Sequence, residues 1–528
     1  MNRVLILFVS TVLFITATAL PAWSTCDITY EEHLFFTSKD GTEIAGNVFI
    51  PQSDDPNQTF PAILFINSWA MEEHEYIVQA AKFAREGYVV LSYSARGWGK
   101  SGGKAGIGTE GDMDDVRAAV AWLGENTPTN MEHIGASGIS YGAGTSLLAL
   151  AQVDEIQTAV AMSTFVDVFK HLYGWETSRL TWGSFLIGSG YLTGNMDPIL
   201  PEIFKDTLHH RDIDLMEAWS VSRSPITWIE AINEKKKPVY ICQNFADYMF
   251  WPNLIVDYFE QLTGPKKLDL SQGIHASAEL KGLAGLPSEL WDNTHAWFDY
   301  HLKGKENGIM DTPEVTMEVK NTGIRDTFET WESKDLYEKS LALSPRTFFS
   351  NGKLTENGPR FARTNRIVSG IPSGATAGIP ILSPFADAHI NLPILAWIPG
   401  LNRLSSVAYQ SARQKSTLQL RGAPTLDLWI TPSTPDIQII GYLYDMSKTG
   451  LGTLITHGPI TKIGMTPDET EMITLEFATT AYDLPPGHKL VLVLDTADPA
   501  YGPASLTPFK VKLPISGKRP SVLRLTVR

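Results

Sequence analysis

The sequence predicts an α/β fold: a doubly wound, mostly parallel sheet of the α/β-hydrolase kind with a helical cap insertion, followed by an all-β domain. Three observations predict it. Short apolar runs alternate with helical spacing from Glu31 to Met162. The turn Gly138-Ile139-Ser140-Tyr141-Gly142 lies between one such run and a helix of small residues. Beyond Thr312 the helical spacing vanishes and strand-like runs follow, separated by Pro and Gly.

The elements follow in order. Asn47-Val48-Phe49-Ile50 reads as a strand stopped by Pro51. Ala62 to Ile66 is a continuous apolar run, as a strand covered on both faces requires. Tyr76 to Glu86 has helical spacing and ends at Gly87. Tyr88 to Tyr93 is the next buried strand. Asp114 and Asp115 are expected to cap a helix with apolar positions at Val116, Ala119, Val120 and Leu123. Ile134 to Ser137 is a short strand, and Ala143 to Ala151 a helix. Strands separated by helices imply a parallel sheet wound on both faces.

Residues 164–237 differ, with Trp175, Trp182, Trp219 and Trp228 in a Leu/Ile-rich stretch of helical spacing. One crossover rarely needs so many residues, so a helical cap is expected here. The sheet resumes at Val239 to Gln243 and Lys267 to Leu270, and a last helix runs from Ser288 to Leu302. The catalytic domain is thus expected over residues 27–163 and 238–306, and a C-terminal β-sandwich (jelly-roll) domain over 312–528. Asn351 to Gly422 is expected as a loose excursion of that domain.

Composition narrows the function classes. The chain has 528 residues and a net charge of −15, which disfavours nucleic acid or an anionic membrane as the main partner. Met1-Asn2-Arg3, then an apolar stretch from Val4 to Ile15 and mostly small residues, has a signal-peptide layout. Residues 1–24 are expected to be removed after Ala19 or Ser24, giving a periplasmic or secreted protein. No later segment is long and apolar enough to cross a bilayer as a helix. The two cysteines, Cys26 and Cys242, make no disulfide framework, and no Cys/His spacing suggests zinc. No metal and no cofactor is expected. The expected partner is a small ester or short peptide, with room for a homo-oligomer.

The chemistry centres on Ser140. In a G-x-S-x-G elbow the residues two before and two after the serine must be small, and glycine holds both places here. The serine stands at the start of a helix, whose amides favour a developing oxyanion. A serine hydroxyl needs a base, and in this fold the chain order is serine, acid, histidine. Asp247 follows the strand at Val239, and His275 follows the strand at Lys267. Both fall in loops at the carboxyl ends of strands, where open α/β sheets build their sites. His275 is the expected base, oriented by Asp247. His295, His301, His209, His210 and Asp257 are weaker competitors, expected in packing or surface roles. The oxyanion donors are expected to be the Tyr141 backbone N–H and the Trp69 backbone N–H, with the Trp69 indole or the Asn67 amide as alternatives. Asn67, Trp98, Trp175 and Trp182 are the expected pocket residues. Arg96-Gly97-Trp98-Gly99 lacks phosphate-loop spacing and reads as a structural turn beside the site.

With these residues in place, the chain resembles the cocaine esterase / X-prolyl dipeptidyl-peptidase family of α/β hydrolases. Arg96-Gly97-x-Gly99-x-Ser101 resembles its R-G-x-G-x-S loop, and Gly138-x-Ser140-Tyr141-Gly142 its elbow. Phe298-Asp299-Tyr300-His301-Leu302-Lys303-Gly304 is similar to the segment closing its catalytic domain. Gly422-Ala423-Pro424 and Leu484-Pro485-Pro486-Gly487-His488 are similar to its jelly-roll domain. The resemblance implies Ser140, Asp247 and His275 as a triad, a helical cap, and hydrolysis of an ester or a prolyl amide. Ser94 stands where the family often has Asp, and Asn67-Ser68-Trp69 where its esterase branch has a Tyr donor. The sequence carries no large extra N-terminal domain of the kind found in some dedicated X-prolyl peptidases, which tilts the expectation towards esters. For a peptidase, Glu176, Asp212, Asp214 and Glu217 of the cap are the candidate partners of a substrate amine. A non-enzymatic binding protein using the β domain is the third reading.

Overall fold

The computed structural model describes residues 26–333 and 335–528. The expected signal segment lies outside the described residues. Ten strands form the first sheet: β1 (Ile28–Thr37), β2 (Glu43–Pro51), β3 (Phe60–Ile66), β4 (Val89–Tyr93), β5 (Thr129–Ile139), β6 (Ile156–Met162), β7 (Val239–Asn244), β8 (Lys266–Ser271), β9 (Val315–Glu318) and β10 (Arg325–Phe328). Their order is β1-β2-β4-β3-β5-β6-β7-β8-β9-β10. The pairings from β4 through β9 are parallel, and antiparallel pairs close both edges.

Helices α1 (Ile77–Arg85), α2 (Glu110–Asn126) and α3 (Tyr141–Gln152) connect the first strands. The period of two along β3 divides the core. Ala62, Leu64 and Ile66 pack with α2 and α3, while Ile63 and Phe65 pack with Phe83 of α1. Both faces are therefore covered, which is why the parallel strands read as unbroken apolar runs. The α2 cap differs from the sequence expectation. Thr109 accepts from the Asp112 N–H and Asp112 returns the bond to the Thr109 N–H, a reciprocal box one turn before Asp114 and Asp115. Asp115 is instead buried against Arg96, at 2.6 Å.

Between β6 and β7 lie α4 (Val168–Tyr173), α5 (Leu180–Thr193), α6 (Ile199–His209), α7 (Ile213–Val221) and α8 (Ile229–Glu234). The expected cap is helical, but its far end is not cap. Ile229 and Ile232 of α8 join the main core beside the sheet, so α8 serves as the ordinary crossover helix into β7. After β7 come α9 (Pro252–Gln261), α10 (Leu280–Leu283) and α11 (Glu289–Lys303). Gly304 ends α11 in the left-handed region (φ 64°), a backbone conformation that glycine takes without strain.

The remainder is β-rich, with mostly antiparallel strands around a second core that includes Leu426, Leu428 and Ile430. Val315–Glu318, expected to open this domain, instead extends the first sheet, because Leu268, Asp269 and Leu270 of β8 pair with Val315, Thr316 and Met317. Asn351 to Gly422 holds strands at Gly352–Thr355, Arg363–Val368 and Val407–Gln410, and a helix, α12 (Leu382–Ile390). α12 reaches back to the α/β domain, where His389 Nε2 lies 2.9 Å from Ser277 Oγ. The two cores meet through Trp251, which packs among Ile440, Tyr442 and Tyr501. No helix among the described residues is long and apolar enough to cross a membrane.

Candidate active site

β5 ends in the elbow, and local sterics dictate its sequence. Ser140 sits at φ 59°, ψ −115°, a conformation that costs an L-residue energy and persists because its surroundings hold it. A Cβ at Gly142 would stand 2.0 Å from the Ile66 carbonyl oxygen. One at Gly138 would stand 2.6 Å from Gly142 C and 2.7 Å from Ile66 O. The turn closes against β3 only with glycine at both places.

The loops after β7 and β8 bring two more groups to this point. His275 Nε2 lies 2.7 Å from Ser140 Oγ, and His275 Nδ1 lies 2.7 Å from Asp247 Oδ2. Asp247 is wholly buried. Its carboxylate accepts from the Met249 N–H (3.1 Å), the Phe250 N–H (2.9 Å) and Gln243 Nε2 (3.0 Å). Three donors thus fix the carboxylate while leaving its face to His275. The imidazole is held edge-on between Phe250 and Trp182, with ring centroids 4.9 and 5.6 Å away.

A second buried cluster braces the His275 loop. Ser163 Oγ donates to Glu279 Oε1 (2.6 Å) and accepts from the Ala276 N–H (3.0 Å) and Asn244 Nδ2 (2.9 Å). Burial raises the Glu279 pKa, opposed by its hydrogen bonds from Ser163 and Asn244. A third cluster braces the loop after β3. Glu75 accepts from the Ser68 N–H and from Ser68 Oγ, both at 2.6 Å, and Ser68 Oγ also lies 3.1 Å from the Ile139 carbonyl. Desolvation pushes Glu75 up to about 7 against the pull of these bonds.

The expected oxyanion donors stand as follows. Tyr141 is the first residue of α3, where the N–H has no intrahelical acceptor. Its phenol is occupied elsewhere, donating to Asp112 at 2.7 Å. The two alternatives to the Trp69 backbone N–H fall away. The Trp69 indole donates to the Leu186 carbonyl of the cap (3.0 Å). The Asn67 amide donates to the Ser68 and Met71 carbonyls and accepts from the Ala95 N–H.

Above Ser140 a partly open, mostly apolar cavity lies beneath the cap. Trp69, Tyr141, Phe165, Phe250 and Trp219 line it together with apolar residues from α4, α5 and α6. None of the four expected pocket residues lines it. Asn67 is buried in its own loop, held by the bonds just named. Trp98 is wholly buried against Trp69 and Gly194, anchoring the Arg-Gly turn under the cap. Trp175 turns away to pack on Trp251 at the β domain. Trp182 packs on His275 instead of lining the cavity. The cap carboxylates also miss it. Asp212, Asp214 and Glu217 are exposed, and Glu176 pairs with Lys462 at 2.6 Å. The cavity lining contains no Asp or Glu.

The competitors take structural roles. His295 stacks on Phe83 (3.6 Å) and pairs with Glu86, and His301 packs on Trp297. His209 bonds the Lys205 carbonyl, His210 bonds the Tyr173 hydroxyl, and Asp257 is exposed. Ser94 is buried and exchanges hydrogen bonds with Glu73. The Arg96 turn is structural, its guanidinium held by Asp115 and Asp40. Sequence reasoning missed Gln243, Glu75, Glu279, His171 and Arg179. The last two line the cavity from the cap. No motif marks them: His171 falls within the short helix α4 and Arg179 just before α5, in an aromatic-rich stretch.

Comparison with known proteins agrees with this architecture. The pattern of the X-Pro dipeptidyl-peptidase (S15 family) matches residues 40–277, and that of the X-Pro dipeptidyl-peptidase C-terminal non-catalytic domain matches 307–513. A Bacillus cereus protein named as a Xaa-Pro dipeptidyl-peptidase is 22% identical over 488 residues, covering 82% of this chain and 75% of that protein. A CocE/NonD family hydrolase from Staphylococcus aureus superposes with a TM-score of 0.73 at 14% identity, covering 95% of this chain and 94% of that one. An α-amino acid ester hydrolase superposes with a TM-score of 0.75 at 15% identity, covering 98% and 100%. At such identities these two likenesses concern the fold.

Proposed function

We propose that this chain, which belongs to the S15 family of serine hydrolases, cleaves carboxylic esters through an acyl-enzyme on Ser140. The contact that carries the reading is the unbroken chain Ser140 Oγ–His275 Nε2 and His275 Nδ1–Asp247 Oδ2, each 2.7 Å. Ser140 Oγ attacks the carbonyl carbon while His275 Nε2 takes its proton. Asp247 holds the imidazolium that forms. The carbonyl electrons move to oxygen, and the N–H groups of Tyr141 and Trp69 are suited to receive that charge. Collapse expels the alcohol, which leaves with the proton from His275. Water, deprotonated by the same nitrogen, then attacks the acyl-serine, and the acid is released as Ser140 regains its proton.

The lining of the cavity favours esters over Xaa-Pro peptides. A free α-ammonium group needs a carboxylate partner, and the lining has none, only Arg179 as a full charge. The dipeptidyl-peptidase reading is favoured in turn by the family and by the name of the Bacillus cereus relative. One panel decides between them: short-chain nitrophenyl esters beside Ala-Pro nitroanilide, each on the purified protein and on Ser140→Ala. Ester turnover that falls at least about 10⁴-fold in Ser140→Ala supports the proposal. Turnover at a normal rate in that variant sinks it, and faster release of nitroaniline than of nitrophenol selects the peptidase.

The N-terminal layout supports export, with cleavage after Ala19 or Ser24. Amino-terminal sequencing of protein recovered outside the cytoplasm checks it. A retained Met1 would overturn it.

A further inference from the structure

The part of the cavity lining that comes from the cap holds two buried polar side chains with unpartnered nitrogens among the described residues. His171 of α4 is 1% exposed, and neither ring nitrogen has a partner. Arg179, just before α5, is 3% exposed, and its Nε and Nη1 have none. Among the described residues its only hydrogen bond runs from Nη2 to the Gly174 carbonyl at 3.5 Å, and no carboxylate pairs with it. The guanidinium rests among the rings of Trp175, Trp251 and Tyr501, with centroids 5.2–5.6 Å away. That cage orients the charge but neutralises none of it.

A buried polar group without a partner is costly, and a buried cation more so. Burial pushes Arg179 down to about 10, so it remains charged at neutral pH. His171 is held neutral, first by burial and then by the Arg179 charge beside it. Arg421, the other deeply buried arginine, gives the contrast. It is 1% exposed and meets two carboxylates, Asp326 at 2.6 Å and Asp483 at 2.8 Å. Arg179 and His171 line the same pocket as Ser140, in a lining that is otherwise mostly apolar.

We propose that this cavity selects esters whose apolar chain ends in a carboxylate, with Arg179 as the anion anchor and His171 as an adjacent hydrogen-bond donor. The planar guanidinium suits a carboxylate in two-point contact. The apolar walls suit the methylene chain between that carboxylate and the ester. This inference rests on the ester-hydrolase reading.

The test compares matched esters. One arm sets mono-nitrophenyl esters of the glutarate-to-suberate series against nitrophenyl alkanoates of equal length. The other arm puts the carboxylate on the alcohol, setting the acetate esters of ω-hydroxy acids against alkyl acetates. We expect kcat/KM to favour the anionic ester about tenfold or more in one arm, which identifies the half that fills the cavity. Arg179→Met lowers that ratio about ten- to hundredfold, and Arg179→Lys retains part of it. A ratio of one or below in both arms overturns the inference, as does a ratio that Arg179→Met leaves intact. If Arg179→Met does not fold, inhibition by suberate is compared with inhibition by suberamide on the unmodified protein. Stronger inhibition by the diacid supports the anchor, and equal inhibition overturns it. If no ester is cleaved at all, the ester-hydrolase reading fails by itself. Titration of tryptophan fluorescence with suberate then decides the anchor: saturable quenching supports it, and none overturns it.

Discussion

The cavity has two walls built on opposite principles. On the sheet side the carboxylates around Ser140 are tied down: Asp247 by three donors besides His275, Glu279 by Ser163 and Asn244, Glu75 by Ser68. On the cap side both ring nitrogens of buried His171 and the Nε and Nη1 of buried Arg179 are without partners among the described residues. The sheet wall holds its groups in working positions before any substrate arrives, as electrostatic catalysis requires. The cap wall leaves its valences open, as recognition requires. The difference places chemistry on the strand ends and selection on the helices above them.

The comparison can be broken in order of effect. Asp247→Asn should lower kcat about 10⁴-fold, because the imidazole loses its orientation and the stabiliser of its charge. Its ratio of anionic to neutral ester turnover should stay as it was. A changed ratio would mean that the walls are not separable. Arg421→Met should cost about 3 kcal/mol of stability in urea unfolding, since it leaves Asp326 and Asp483 without their buried cation. It should leave the ester ratio alone. Arg179→Met should do the reverse, losing selectivity with less damage to stability, since no carboxylate is orphaned. Equal stability losses in the two variants would place Arg179 among the structural groups.

The smallest effect sharpens the sheet wall. The Glu75 pKa stands at about 7 in the folded protein against an ordinary 4.5. An acid raised on folding gives stability that is full below the unfolded value and lost as pH rises to the folded one. The chain should therefore lose stability between pH 4.5 and about 7 through this group. Glu75→Gln keeps a hydrogen-bonding group at Ser68 without the titration. Its melting temperature should gain on that of the unmodified protein across this window, and a constant difference would refute the assignment.

Much of the sheet wall was legible in the sequence. The runs at Ala62–Ile66 and Tyr88–Tyr93, the elbow and the order Ser140, Asp247, His275 are local patterns, and the structure brings the three side chains together. The supporting groups were not. Gln243 reads as one more strand residue, and Glu75 as one of several acids in Glu72-Glu73-His74-Glu75. The cap was legible only as helical. Trp98 and Trp175 drew notice for their size, yet large rings serve equally well as packing between layers, and both do so here.

The sequence by itself determined the elbow and the strand-helix alternation. Those depend on contacts within a few residues or on a fixed period, such as the two glycines without which Ile66 O would clash. Only the tertiary structure decided what fills the space above Ser140. The cavity lining converges from four cap helices and the loops around them, with no period to announce it. Whether a buried Arg is paired, as Arg421 is, or idle, as Arg179 is, depends on which distant carboxylates the fold brings near. That is a property of packing, not of neighbouring residues along the chain.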